Sequence, residues 1–301
     1  MRYVQPDYMA EFACIAGACR HSCCIGWEID VDEDTLARYL DTPGEWGARL
    51  REGIDPQAGC FRLTPDERCP FLNADGLCEI ILHDGEDALC GICAEHPRFY
   101  QELAGCEEAG LGLCCEEAAR LILTREAPVR LCCWGDDPDE PDPAEVALAA
   151  LRDELTGLAQ DRTQGILQRV DDIHRRCGIP IESTAPGRWA DTLRGLERLE
   201  PAWTQLLDSL DDAPHGVHPP ALERPLEQLL VYLLYRHVPQ AAGDGDVQGH
   251  VALALMLWRL VRRLGLAGLD ALLEAARLCS AEIEYSDVNG DALREAWHVT
   301  V

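Results

Sequence analysis

No lysine occurs among the 301 residues; all 26 basic side chains are arginine, against 54 acidic ones, for a formal net charge of −28. This excludes nucleic acid as a partner, because phosphate binding rests on basic patches and none stands out. An acidic surface serves solubility, and would also hasten encounter with a basic protein. Long apolar runs are missing as well. The best of them, Val251 to Val261, is interrupted by Arg259 and falls short of the ~20 residues that a bilayer requires, so no membrane-spanning helix is expected. The segment from Met1 to Tyr8 has neither an apolar h-region nor a small-residue cleavage site, which argues against secretion and for a reducing, cytoplasmic setting. A strand followed by a G-x-G-x-x-G turn is also lacking. Gly110-Leu-Gly112 runs directly into Leu113-Cys114-Cys115, so no Rossmann-like methyltransferase domain is visible.

Cysteine, by contrast, is abundant. Fourteen of the sixteen cysteines precede residue 134: Cys14, Cys19, Cys23, Cys24, Cys60, Cys69, Cys78, Cys90, Cys93, Cys106, Cys114, Cys115, Cys132 and Cys133. Without secretion, such a density points to soft-metal ligation, by zinc or an iron–sulfur cluster, rather than to disulfides. The adjacent pairs Cys23-Cys24, Cys114-Cys115 and Cys132-Cys133 agree, since sequence neighbours rarely meet disulfide geometry with each other. Cys90-x2-Cys93 supplies two sulfurs from one turn. Cys69 and Cys78 flank an Asp75-Gly76 turn signal, and Cys14, Cys19, Cys23 and Cys24 offer four more. With Cys115 these make nine candidate ligands, more than one four-ligand site can use. Cys60, Cys106, Cys114, Cys132, Cys133, Cys177 and Cys279 are expected to be bystanders. A radical S-adenosylmethionine loop, Cys-x3-Cys-x2-Cys, is not matched: Cys19-x3-Cys23 is followed by Cys24, with Gly26 where the sequel would fall.

The composition changes at Gly135 to Pro143, an acidic, proline-rich stretch that reads as a linker. The expected organisation is a cysteine-rich metal-cluster domain over 1–135, a linker over 136–143 and a helical domain over 144–301. The fold class is mainly α: short irregular elements around the cysteines, then a C-terminal helical bundle. Asp142 is expected to cap the first helix of the second half, with Pro143 at its first turn and Glu145 closing a capping box. Leu222, Leu226, Leu229, Leu230 and Leu233 form one helical stripe, and 251–264 is apolar nearly all round, as in a central helix. Further helices are expected near 144–160, 162–177, 188–210, 266–279 and 290–297. His174, His215, His218, His237 and His250 read as surface or capping histidines. In the first half, Asp32 should cap a helix to about Leu40 and Thr42-Pro43-Gly44-Glu45 a second one to Leu50, while 61–63 and 77–81 look extended.

The ordered blocks of the first half resemble the flagellin lysine-N-methylase family, within the wider group of CxxCxxCC-type zinc- or iron-chelating proteins. The resemblance runs from Tyr3 to Leu123. It is carried by Phe12-x-Cys14-x4-Cys19-x3-Cys23-Cys24-x-Gly26-Trp27, by Arg68-Cys69-Pro70-Phe71-Leu72-Asn73 with Leu77-Cys78, and by Leu89-Cys90-x2-Cys93-x2-His96-Pro97-Arg98. Leu113-x-Cys115-x-Glu117 closes it. Two positions depart from the family pattern: His96 stands where an aromatic is usual before Pro-Arg, and Cys114-Cys115-Glu116 where Ser-Cys-Pro is usual.

The resemblance implies methyl transfer to lysine side chains of flagellin or a similar surface protein. It also implies S-adenosylmethionine as donor and an iron–sulfur cluster of the 4Fe–4S type, ahead of zinc, as cofactor. Lysine must shed a proton before it can attack a methylsulfonium. Glu28, Asp30, Asp32, Asp84 and Glu86, lying inside the matching motifs, are the candidate bases, although as caps and solvated loop charges they need no catalytic role. Trp27 is a candidate face for a sulfonium or methylated ammonium, and Arg98 a candidate partner for the donor's carboxylate. Two other readings use the same thiolates: a non-catalytic zinc- or iron–sulfur-binding interaction module, and a redox protein.

Overall fold

The chain opens with a strand, β1 (Arg2–Pro6), that no local pattern announced. In the computed structural model, which describes residues 1–136, 140–213 and 216–300, β1 belongs to a sheet whose other strands come about a hundred residues later. After β1 the chain enters its cysteine-rich stretch. Helices α1 (Glu33–Asp41) and α2 (Gly44–Gly53) are followed by the short antiparallel strands β2 (Ile54–Asp55) and β3 (Cys60–Phe61), then α3 (Glu79–Asp84) and α4 (Gly91–Glu95). The hairpin strands β4 (Arg98–Leu103) and β5 (Cys106–Leu111), helix α5 (Glu116–Leu123) and strand β6 (Leu131–Gly135) complete the sheet, in the order β4-β5-β1-β6. β1 runs parallel to β5, Val4 opposite Glu108, and antiparallel to β6, Val4 opposite Cys133.

The remainder is helical: α6 (Pro143–Ala159), α7 (Ile166–Cys177), α8 (Pro186–Gly195), α9 (Pro201–Asp208), α10 (Glu223–His237), the short α11 (Ala241–Asp244), α12 (Val247–Leu264), α13 (Leu269–Cys279) and α14 (Asp287–Thr300). The protein is mainly α, as the sequence predicts. No helix among the described residues is long and apolar enough to cross a membrane. Asp142 caps α6 as expected, its Oδ1 accepting from Ala144 N at 2.8 Å, with Pro143 at the first turn. Leu148, Arg152, Leu155 and Ala159 are the buried face of α6, spaced as one helical stripe. α10 and α12 are buried nearly all round and pack on each other, where Trp258 Nε1 donates to Leu226 O at 2.8 Å. Each fully buried Leu or Val in that contact contributes about 1.5–3 kcal/mol.

Several expectations are corrected. The helix expected over 188–210 is two, α8 and α9, because Pro201 has no N–H to offer and the residue before it is pushed out of helical geometry. Segment 77–81 is extended only as far as Cys78, which bridges Leu72; α3 begins at Glu79 and is capped at its end by Gly85, whose φ of +87° suits glycine. Neither capping box forms. Glu145 Oε2 instead accepts from Ala104 N at 2.7 Å, and Thr42 Oγ1 turns back to donate to Arg38 O at 2.9 Å. The histidines expected at the surface are buried at four positions. His174 Nδ1 meets Ile179 O, while His218, His237 and His250 pair with Glu223, Glu284 and Asp244. His215 and linker residues 137–139 lie outside the described residues.

The chain divides into two compact units: Ala13–Phe99, and a discontinuous one made of Met1–Phe12 with Tyr100–Val301. This differs from the expected division at 136–143. The sheet is the reason, since β1 is hydrogen-bonded to β5 and β6 and so draws the N-terminal residues and 100–135 into the helical unit.

Candidate metal centre

The Ala13–Phe99 unit is built on a small core in which Ile29, Val31, Tyr39, Leu50, Ile54, Phe61, Phe71 and Ile80 are buried together with the thiols of Cys69 and Cys90. Phe61 meets Phe71 edge-on, ring centres 5.0 Å apart, a favoured aromatic geometry. Cys24, Cys78 and Cys93 pack against this core, half-buried. Five sulfurs thus share one apolar wall.

Local chemistry explains how they arrive there. Asn73 Oδ1 accepts from Asp75 N and Leu77 N, both at 2.9 Å, and Gly76 takes a φ of +72°. This tight turn brings Leu72 opposite Cys78, so Cys69 and Cys78 stand on its two arms. Cys69 N donates to Cys24 O at 2.8 Å, which ties the first cysteine run to the second. Cys90 leads into α4, and one turn of that helix carries Cys93 back to the same side. Asp32 joins this knuckle to α1. One carboxylate oxygen caps α1 through Thr35 N at 2.9 Å, as expected, and the other accepts from Gly91 N, also at 2.9 Å.

The thiols feel one another. Cys24 is drawn down to about 7 by a hydrogen bond from Cys23, against the effect of burial, with Ser22 and the Arg68 guanidinium assisting. Cys93 donates to Cys90, which draws Cys90 down to about 7 and pushes Cys93 itself far up. Burial pushes Cys69 up to about 12 and raises Cys78, and the negative charge of neighbouring thiolates adds to both shifts. Tyr39, whose hydroxyl donates to Ala88 O at 2.6 Å, is raised by burial and then by the charge of Cys90. Among the described residues, no three His, Cys, Asp or Glu side chains are arranged to hold a single metal ion.

Of the nine cysteines singled out by sequence, the structure therefore gathers Cys24, Cys69, Cys78, Cys90 and Cys93. Cys23 is exposed and hydrogen-bonded to Cys24. Cys14 is exposed with its sulfur 3.4 Å from Ala16 N, and Cys19 is half-buried. Cys115 belongs to the other unit, at the N-cap of α5. Trp27 and Arg98 are half-buried. Glu28 and Asp30 are exposed near Cys60, whose thiol is raised by burial and then by these carboxylates. Glu86 is exposed, and Asp84 accepts from Trp46 Nε1 at 2.6 Å. Tyr39 and Arg68 were not anticipated. Tyr39 had a faint signal in its spacing of four from Thr35, both on the buried face of α1; the approach of Arg68 to Cys24 depends on a bridge between Ile25 and Arg68 that no local pattern encodes.

Fold and centre together define a mainly helical protein with a separate thiol-gathering unit. Comparison with known proteins then supplies kin. Over 127 residues, 40% of this chain, it is 31% identical to the lysine-N-methylases of Salmonella typhimurium (strain LT2) and Salmonella choleraesuis, and 28% identical to the flagellar biosynthetic protein FliU of Salmonella muenchen. The match spans about a third (32%) of the length of each lysine-N-methylase, and 75% of FliU. Over that stretch the chain is thus similar to proteins named lysine-N-methylase and FliU, a likeness that its motifs predict. No protein-family model and no solved structure matches it.

Proposed function

We propose that this protein is a protein-lysine N-methyltransferase acting on flagellin or a similar surface protein, with S-adenosylmethionine as donor and an iron–sulfur cluster held by the Ala13–Phe99 unit. The kinship with proteins named lysine-N-methylase carries the reading. The donor set supports the cofactor. It is all sulfur, and five soft ligands against an apolar wall favour an iron–sulfur cluster or zinc over any hard cation. Cys24, Cys69, Cys78, Cys90 and Cys93 are the residues that would hold it. When bound, it would supply redox-active iron beside the α1 helix.

The chain's own residues have more limited roles. Asp32 is a positioning residue and no base, because both its oxygens are engaged by backbone N–H groups. Burial lowers the pKa of His96 and so disfavours a positive charge ahead of Pro97-Arg98. A lysine-free chain also offers no side-chain substrate to itself, so any methyl-lysine formed in a purified mixture belongs to the substrate.

Intact masses of flagellin from strains with and without the protein test the substrate assignment. Multiples of 14 Da that disappear with the gene are expected from the mass of a methylene, and identical masses would sink it. Iron and acid-labile sulfide in anaerobically purified protein test the cofactor. Roughly four of each per chain are expected for a cubane; zinc without sulfide would overturn that part alone.

A further inference from the structure

One row of side chains crosses the exposed face of the four-stranded sheet. Tyr3 on β1 is paired with Glu107 on β5 and, on its other side, with Trp134 on β6. Paired residues share a face of the sheet, and the next residues along, Val4 and Glu108, are buried on the opposite one. β4 and β5 are joined by Ala104 and Gly105 alone, with φ of +52° and +70°. A two-residue turn of this kind sets Leu103 against Cys106 and so Glu102 against Glu107. The row therefore runs Glu102, Glu107, Tyr3, Trp134. Tyr3 is 37% and Trp134 48% exposed, Glu102 is exposed and Glu107 half-buried.

The row is complementary to a cation. Glu102 and Glu107 are like charges set directly opposite each other, which destabilises a hairpin, and neither forms an ion pair among the described residues. Tyr3 stacks on Trp134, with ring centres 5.7 Å apart and planes 19° apart. Because β1 lies between β6 and β5, Trp134 covers one face of the tyrosine ring and the other face is turned to the Glu107 side. A cation seated there meets a carboxylate and the negative face of an aromatic ring together. An anion is repelled by the two carboxylates, and a neutral group leaves their repulsion uncompensated. Lysine suits the place best, since its long apolar stem lies along ring surface while its ammonium reaches the carboxylate. The chain has no lysine of its own, and Arg2 alternates to the opposite face from Tyr3, so the occupant comes from another molecule. At a net charge of −28, that molecule is a basic one.

We propose that this sheet face docks a lysine-bearing segment of a partner protein, with a lysine ammonium seated between Glu107 and Tyr3. The inference deepens the methyl-transfer reading, on which it rests for the identity of the partner, by naming a surface that grips the substrate. The test is calorimetric titration of the whole protein with an acetylated, amidated hexapeptide of alternating threonine and lysine. At 0.15 M salt, charges more than about 8 Å away are largely screened, so the local contacts decide the result. Saturable binding is expected, at least about tenfold weaker when every lysine of the peptide is acetylated. Tyr3→Leu and Glu107→Gln should each weaken binding about threefold, and together about tenfold. Glu107→Gln also relieves the like-charge pair, so it should not cost stability. Tyr3→Phe keeps the ring, and Asp270→Asn removes one charge from the exposed start of α13; both should bind as wild type does. No binding, no preference over the acetylated peptide, unchanged affinity in the double variant, or an equal loss in Asp270→Asn would each overturn the proposal. The two readings fail separately. Flagellin masses that shift with the gene while the peptide result fails retire the docking face alone, and the expected peptide result with identical flagellin masses retires the methyl-transfer reading alone.

Discussion

Replacing Asp32 by alanine should loosen the thiol centre without touching a thiol. The side chain does two things at once: Oδ1 caps α1 through Thr35 N, and Oδ2 holds Gly91 N, the residue between Cys90 and the rest of its knuckle. Loss of an N-cap costs about 1 kcal/mol, and loss of a second hydrogen bond of this kind about 1 kcal/mol more. Asp32 is exposed, so the larger values measured for buried charged partners do not apply, and the sum is about 2 kcal/mol. The carboxyl is held below its ordinary range by the Gly91 N–H first and the Thr35 N–H second. A depressed folded-state pKa contributes stability above the unfolded value and loses it as pH falls through the folded one. The difference between wild type and Asp32→Ala should therefore be full at neutral pH and shrink in acid. Urea unfolding of the metal-free protein at pH 7 and pH 3 gives the energies, and iron content after anaerobic purification gives the functional consequence, expected to fall. Asp32→Asn, which keeps a capping oxygen, should lose less than alanine. Equal urea midpoints for Asp32→Ala and wild type at pH 7, with iron content unchanged, would refute the argument that this clamp sets the knuckle.

Three more outcomes are expected. Glu227 is completely buried and accepts from Arg162, Arg169 and Arg224 at 2.6–3.2 Å, so Glu227→Ala should cost about 3–5 kcal/mol by removing the carboxylate that three guanidiniums share; a loss below about 1 kcal/mol by urea unfolding would contradict this. Glu284 is pushed up by burial, but Arg236 and His237 outweigh that and hold it at about 2, against an ordinary 4.5. On the order of 3 kcal/mol of stability should therefore be present above pH 4.5 and be lost between there and pH 2, and Glu284→Gln should flatten that part of the stability–pH profile. Gly53→Ala places a Cβ 2.5 Å from Phe71 Cζ and should destabilise the cysteine-rich unit by about 1–3 kcal/mol through overpacking, visible as a lowered thermal midpoint.

Helices whose signal is local were legible in the sequence. Asp142-Pro143 starts α6 as their chemistry requires, and the all-round apolar run of 251–264 lies inside α12. Elements that depend on distant partners were not. The segment around Cys132 and Cys133 reads as a pair of spare thiols, yet it is the strand beside β1, a pairing across more than 120 residues. The buried histidines follow the same rule, since each needs a carboxylate or carbonyl brought to it by the fold: His237 is matched to Glu284 across 47 residues, and no spacing reveals that. Among the cysteines, the sequence supplied nine candidates, but the choice of the five gathered ones rests on the Asn73 turn, the Cys24–Cys69 backbone bond and the Asp32 clamp.

The parallel pairing of β1 with β5 also has a consequence for biosynthesis. Val4 leaves the ribosome 104 residues ahead of its partner Glu108, a wait of roughly 5–20 s at ordinary elongation rates. During that interval every residue of Ala13–Phe99 is made, while the strand that belongs to the other unit has nothing to pair with. The cysteine-rich unit has its whole sequence available before its host can begin to close, so loading of the thiols can precede completion of the chain. The Ala13–Phe99 unit is thus an insertion in the sequence of its host, opening after β1 and closing within β4.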